Sequence, residues 1–301
     1  MVQGGCLELF HSKAKYDFCG AGKPFDECRV VVLPVPYDAT TSYGGGARDG
    51  PHAIISASRQ LELYDEELGC EPAAKGFYTL DELEPSTDGP KQTIERVEEA
   101  VEAILEAKRF PVMLGGEHSL TLGAVEAARK KHPEMGVLQF DAHADLRDEF
   151  EGSKYNHACV MRRVSEKGIA CAQVGVRSVI QEEIDYAAKK GNRIFYAIEK
   201  AKWKAEKIAA SLPREVYVTF DLDALDSSLM PATGTPQPGG LSWSEATFLL
   251  REVMARKKII GLDVMELAPI PGMRAPDFVA AKLAYKMIGY ALCTQKNNNF
   301  K

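Results

Sequence analysis

The stretch Asp141-Ala142-His143-Ala144-Asp145 carries residue types that bind divalent metal ions. It follows residues 136–140, a short apolar run typical of a buried strand. Because side chains alternate along an extended chain, Asp141, His143 and Asp145 project to one side. The pattern predicts part of a metal site. A polar turn at the start of a helix, where Asp is common, would give a similar stretch.

Two further stretches place ligand-type residues after predicted strands. His118 follows a strand at 110–114, and Asp221 and Asp223 follow one at 215–220. Four carboxylates buried together would repel one another, and two divalent ions would compensate their charge. Oxygen-rich ligands with some imidazole suit Mn²⁺ better than zinc held by thiolates. The sequence therefore predicts two metal ions held by His118, Asp141, His143, Asp145, Asp221 and Asp223.

Other metal and nucleotide sites fit the sequence poorly. The segment from Asp221 lacks the central Gly of an EF-hand loop and has Ala232 where that loop needs Glu. No H-E-x-x-H is present, and the glycine-rich loop at 44–50 fits neither nucleotide phosphate pattern. Seven cysteines without a C-x-x-C pair argue against a disulfide framework or a thiolate zinc site. They favour a reducing compartment.

Apolar strands alternate with helical segments along the chain. Strands are predicted at 29–36, 76–80, 110–114, 136–140, 170–176, 193–198, 215–220 and 258–265, and helices at 51–64, 91–109, 120–131, 157–167, 181–190, 199–212, 244–255 and 277–292. This alternation predicts an α/β fold: a single-domain three-layer αβα structure with a central, mostly parallel sheet. Residues 1–28 are predicted to form a surface extension. Ligands of such sheets bind at the carboxyl ends of the strands, where the metal-type residues and Glu266 fall.

Composition limits the classes of partner. The 301 residues, 45% of them hydrophobic, can bury a large core, and the net charge of −6 gives no electrostatic case for nucleic acid or an anionic membrane. The N-terminus lacks a basic region followed by an apolar one, and no apolar run approaches the ~20 residues that span a bilayer. We therefore predict a cytoplasmic protein that binds neither nucleic acid nor membrane.

Three motifs together resemble those of the ureohydrolase (arginase/agmatinase) family. They are Gly115–Ser119, Asp141–Asp145 and Phe220–Asp226, and segments at 42–51, 233–240 and 263–266 also resemble family segments. The resemblance extends over about residues 30–290 in family order. It implies an arginase-like fold, a small cationic guanidine substrate and a homo-oligomer, either a trimer or a hexamer.

The resemblance also implies a role for each residue. One Mn²⁺ would be held by His118, Asp141, Asp145 and Asp221, and the other by Asp141, His143, Asp221 and Asp223. Water activated by the two ions would attack the guanidinium carbon and release urea and an amine. Asp145 counts among the catalytic residues as well as the ligands. Glu266 would hold the guanidinium and His157 would protonate the leaving amine. The plainer alternatives are a surface carboxylate and a helix-cap histidine.

The segment at 153–157 bears on the substrate. Tyr155 stands where arginases have an Asn that contacts the α-amino acid head, and the run from 145 to 163 looks more like agmatinases. The resemblance therefore implies hydrolysis of agmatine to putrescine, and the acidic loop at 148–151 would suit the distal amine. Glu117 replaces the Asp usual in arginases, which is familiar among agmatinase-like members. Guanidinobutyrate, guanidinopropionate and arginine remain alternative substrates.

Two other classes of protein compete with this interpretation. A non-catalytic member would use the fold only for binding, but it would have no reason to keep all six ligands. A deacetylase-like metallohydrolase holds one metal with an Asp-x-His pair and a separate Asp. The additional carboxylates Asp145, Asp223 and Glu266 favour the two-metal guanidine site.

Overall fold

The computed structural model describes residues 16–293, which contain one eight-stranded parallel sheet. The strands are β1 (Val30–Val35), β2 (Phe77–Thr79), β3 (Phe110–Gly115), β4 (Gly136–Phe140), β5 (Ala170–Val176), β6 (Arg193–Tyr196), β7 (Glu215–Asp221) and β8 (Lys258–Met265). They are arranged in the order β2-β1-β3-β8-β7-β4-β5-β6, and every adjacent pair is parallel. The predicted parallel sheet is confirmed.

Helices cover both faces of the sheet. They are α1 (Gly50–Ser58), α2 (Pro90–Glu106), α3 (Thr121–Lys131), α4 (Val160–Glu166), α5 (Gln181–Lys190), α6 (Ala205–Ala210), α7 (Trp243–Met254) and α8 (Ala275–Leu292). Val30 and Val32 of β1 pack in one apolar cluster with α1, α6, α7 and α8. Val31 and Leu33 pack in a second cluster with α2 to α5. Burial on both faces explains why the strands are continuously apolar, and it confirms the three-layer fold.

Two predicted helices differ most from those in the structure. The helix predicted to reach Tyr64 ends at Ser58, and the loop after it carries Asp65, whose carboxylate is buried with the Lys286 ammonium 3.0 Å away. The helix predicted at 199–212 is divided by Trp203, which is extended and packs partly buried against the first apolar cluster. In both places a tertiary contact outweighs local helix preference.

The N-terminal segment is only partly peripheral. Residues 1–15 of the predicted surface extension lie outside the described part of the chain. Phe18 is fully buried and its ring centre lies 5.9 Å from that of Phe77, so residues 18 and 19 belong to the core, contrary to the prediction. Among residues 16–293, no helix combines the length and apolar character needed to cross a membrane.

The strand order brings the predicted site residues to one edge. β3, β8, β7 and β4 are consecutive neighbours, and all four run in the same direction. Their carboxyl ends lead into His118, Glu266, Asp221 and Asp141, respectively. Residues that are far apart in the sequence therefore meet because of the topology of the sheet.

Candidate functional site

One group of metal-type ligands surrounds the His118 ring. Its Nδ1 lies 3.0 Å from Asp141 Oδ2, 3.1 Å from Asp145 Oδ2 and 3.3 Å from Asp221 Oδ2. On the other side of the ring, Nε2 lies 2.8 Å from Thr219 Oγ1. This contact fixes the ring orientation and directs Nδ1 towards the three carboxylates.

A second group shares Asp141 with the first. His143 Nδ1 lies 2.9 Å from Asp223 Oδ2 and 3.4 Å from Asp141 Oδ1. Ligand atoms of His118, Asp141 and Asp221 approach one another within 4.8 Å, as do those of Asp141, His143 and Asp223. Asp141 thus belongs to both groups, and its role as a bridging metal ligand stays a prediction. Asp221, also predicted to bridge, falls only in the first of these two mutually close sets.

The electrostatics of this cluster fit bound cations. Burial, followed by the charges of neighbouring carboxylates, raises the pKa of Asp221 well above its usual value and that of Asp145 to about 7. Burial alone would lower the pKa of His118, but the surrounding carboxylates outweigh it and raise that pKa. Nevertheless, His118 Nδ1 is buried without a well-directed hydrogen bond among the described residues. A nitrogen facing three oxygens in this way suits a cation lying between them.

Asp145 and Glu266 adopt an uncommon backbone conformation. Their φ angles are 52° and 68°, in the left-handed region that residues other than glycine rarely occupy. Hydrogen bonds hold both residues there, because the Asp145 carbonyl accepts from the Arg162 amide and the Glu266 amide donates to the Gly116 carbonyl. Such conformations cost about 1–3 kcal/mol and cluster at functional sites, where they aim a side chain.

A row of polar residues crosses the sheet behind the ligands. Gln173, Gln139, Thr219 and Asp263 are paired in register on β5, β4, β7 and β8, and all four are fully buried. Gln139 donates to Asp141 Oδ2 at 2.6 Å, and Thr219 contacts His118. Sequence reasoning overlooked this row. The signal was a polar residue near the end of each apolar strand.

The first motif fastens a loop to the site. Gly116 passes so close to Tyr37 that a β-carbon there would lie 1.8 Å from the Tyr37 carbonyl oxygen, so only glycine fits. The buried Glu117 carboxylate accepts hydrogen bonds from the Thr40 amide at 2.6 Å and from the Thr40 hydroxyl. Thr40 Oγ1 in turn accepts from the His157 amide at 3.0 Å. Glu117 is therefore a structural tether.

His157 and Glu266 lie together beside the first ligand group. His157 Nδ1 is 3.7 Å from Glu266 Oε1. The same oxygen accepts a hydrogen bond from the His118 amide at 2.6 Å. Burial lowers the pKa of His157, but Glu266 and other carboxylates outweigh it and raise the pKa to about 9. Its Nε2 is buried without a hydrogen-bond partner in the described part of the chain. The ring can therefore hold a proton and offer it to a ligand.

A cavity of about 270 Å³ opens above the cluster. Its wall includes candidate ligand residues, His157 and Glu266, together with Tyr43, Arg147, Phe150, Ile180 and Glu183. Glu183 is buried, and its two oxygens accept hydrogen bonds from the Leu146 and Ile180 amides. Among residues 16–293, no cationic side chain forms an ion pair with it.

The acidic loop at 148–151, which the sequence suggested for the distal amine, does not direct its carboxylates into this cavity. Of residues 148–151, only Phe150 lines the wall. The Asp148 carboxylate instead lies 2.6 Å from an Arg163 nitrogen and is also within 4 Å of Lys154 and Arg162. These ion pairs neutralise the Asp148 carboxylate, and neither Glu149 nor Glu151 lines the cavity.

Comparison with known proteins agrees with the geometry. The Arginase family model matches residues 28–289. An N(1)-aminopropylagmatine ureohydrolase of Synechocystis is 43% identical, covering 88% of this chain and 90% of that protein. An agmatinase of Pyrococcus horikoshii is 37% identical, covering 86% and 90%. The crystal structure of an agmatine ureohydrolase of Thermoplasma volcanium has a TM-score of 0.84 at 32% identity, covering 92% and 94%. The chain thus belongs to the arginase family and is a ureohydrolase, a hydrolase of C–N bonds in amidines.

Proposed function

We propose that this chain hydrolyses the guanidino group of an agmatine-type substrate, with two Mn²⁺ ions bound by the six predicted ligands. The observation that carries the proposal is the pair of ligand groups sharing Asp141, next to Glu266 and His157. Oxygen-rich donors with two imidazoles favour Mn²⁺ or a similar ion. The cytoplasmic location and the trimeric or hexameric assembly stay predictions from the sequence.

The side chains around the ligands have separate tasks. When bound, the metal ions would supply nucleophilic water at neutral pH and stabilise developing charge. The Glu266 carboxylate, fixed by the His118 amide, would accept the guanidinium N–H groups in charge-assisted hydrogen bonds. His157, beside the Glu266 carboxylate, would donate a proton to the leaving amine through its unpartnered Nε2.

The cavity wall supports a cationic substrate tail. Glu183 is a buried carboxylate without a cationic partner in residues 16–293, and each of its oxygens can accept a further hydrogen bond. An ammonium group would neutralise it. The relatives described above are named for agmatine and for its aminopropyl-extended form, so both belong to the proposed class. Arg147 also lines the cavity and would favour a carboxylate tail, so guanidinobutyrate is the second candidate.

A substrate panel tests the proposal. Urea release from manganese-loaded enzyme is measured with agmatine, N1-aminopropylagmatine, guanidinobutyrate, guanidinopropionate and arginine. We expect amine-tailed guanidines to exceed the others by at least ~10-fold in kcat/KM, since an uncompensated buried charge costs several kcal/mol. Highest kcat/KM for guanidinobutyrate or guanidinopropionate would show that Arg147, and not Glu183, governs the tail. Highest kcat/KM for arginine would contradict our interpretation of Tyr155. Absence of urea release with metal bound would favour the non-catalytic class.

Replacement of His157 by Asn is expected to lower kcat for agmatine while the metal content stays unchanged. General acid–base groups contribute ~10²–10⁴-fold, so the loss should be large but incomplete. The exposed His52, outside the cavity, provides the matched control when replaced by Asn. Full activity of the His157 variant would show that this residue has no catalytic role and serves only as a structural helix cap. Loss of metal would instead make it a ligand-supporting residue.

A further inference from the structure

Tyr43 is an exposed aromatic residue at the mouth of the cavity. Its side chain is 87% exposed, yet it lines the same cavity as the metal-type ligands and Glu266. Single exposed aromatic residues are common on protein surfaces, and Tyr64, outside this cavity, is 56% exposed. The location and surroundings of Tyr43 distinguish it from such a residue.

The loop that carries Tyr43 is fastened on both sides of the ring. Before it, Thr40 is hydrogen-bonded to the buried Glu117 carboxylate. After it, the Gly44 amide donates to the Gly234 carbonyl at 3.2 Å, and the Gly46 amide donates to Asp38 Oδ2 at 2.8 Å. The backbones at Gly44 and Gly234 are so close that a β-carbon at Gly44 would lie 2.9 Å from the Gly234 oxygen. These bonds fix the backbone that carries the Tyr43 ring at the mouth of the cavity.

The aromatic residues of the cavity wall differ in what covers them. The Arg147 guanidinium carbon lies 4.5 Å from the centre of the Phe150 ring, so a cation already occupies one face of that ring. In the described part of the chain, no cationic group stacks on Tyr43. Tyr43 therefore offers a ligand cation an aromatic face without competition, and Ile180, 37% exposed, adds apolar surface for methylene groups.

We propose that Tyr43 is a specificity residue that binds the aminopropyl extension of a lengthened agmatine. The inference rests on the proposed function, in which Glu266 holds the guanidinium deep in the cavity. A longer tail must then leave through the mouth, past the Tyr43 ring on its tethered loop. Methylene groups of the extension would pack on the Tyr43 ring, and its ammonium would lie over the ring face, a contact that strengthens cation binding.

The test compares Tyr43→Ala and Tyr43→Phe in manganese-loaded enzyme, with Tyr64→Ala as the control. For each, kcat and KM for urea release are measured with agmatine and N1-aminopropylagmatine. Tyr43→Ala should lower kcat/KM for the extended substrate by ~3–5-fold, mainly through KM, the range of a cation–aromatic contact at an exposed site. Agmatine should change less than about twofold. Tyr43→Phe should retain the preference, because the ring face remains.

Several results would overturn the inference. An equal loss for both substrates would show that Tyr43 maintains the loop and does not select the tail. No loss for the extended substrate would show that the tail leaves by another route. A loss in Tyr43→Phe equal to that in Tyr43→Ala would assign the effect to the hydroxyl. By contrast, failure of the proposed function would appear as absence of urea release by the unsubstituted enzyme from both substrates.

Discussion

Replacing Asp221 with Asn is expected to lower kcat/KM for urea release by at least ~10³-fold, the largest effect that we predict. A metal acting as a Lewis acid supplies several kcal/mol of transition-state stabilisation, and 1.4 kcal/mol corresponds to tenfold. Asp221 lies 3.3 Å from His118 Nδ1 in the first ligand group, so the change removes one negative charge from that group. Kinetics and bound manganese are measured together.

Asp148→Asn is the matched control for this variant. Asp148 is an acidic residue that pairs with Arg163 and does not line the cavity. We expect the control to retain activity within about twofold, as expected of surface changes. Normal manganese content and activity in Asp221→Asn would contradict the proposed ligand set.

Glu266→Gln is expected to reduce kcat/KM for agmatine by ~10²–10³-fold while leaving the metal content intact. Removing one partner of a buried charge-assisted pair costs about 2–5 kcal/mol, an interval that includes this loss. Gln retains the size of the side chain, and its carbonyl oxygen can still accept a hydrogen bond from the His118 amide. The backbone at Glu266, which has a φ of 68°, should therefore be unchanged in the variant. The loss of activity then measures the contact with the guanidinium.

Two readouts separate a binding role of Glu266 from a structural one. The thermal unfolding midpoint and the manganese content should match those of the unsubstituted enzyme. If both fall together with activity, Glu266 acts by holding His118 in place. If activity is unchanged, the guanidinium is bound elsewhere.

The metal-type residues could be recognised in the sequence because they fall in short motifs. Asp141, His143 and Asp145 occur at a spacing of two, and Asp221 and Asp223 repeat it. The strand runs were apolar enough to predict a parallel sheet, and parallel strands bring their carboxyl ends to one edge. The ends of the helices were predicted less accurately, as at Ser58 and Trp203, because tertiary contacts decide where those helices end.

The remaining features of the site depend on contacts between distant residues. The row of Gln173, Gln139, Thr219 and Asp263 becomes apparent only once the strand register is known. The Asp148 carboxylate pairs with Arg163 and does not line the cavity. No local sequence pattern shows this contact. The predicted shared role of Asp221 depends on interatomic distances across the site, which sequence spacing does not determine.

The central claim is that two manganese ions bind at the two ligand groups that share Asp141. Anomalous diffraction at the manganese edge, from crystals grown with Mn²⁺, tests it most directly. We predict two peaks per chain, one among His118, Asp141, Asp145 and Asp221 and the other among Asp141, His143 and Asp223. A single peak, or peaks away from these side chains, would contradict the two-metal account.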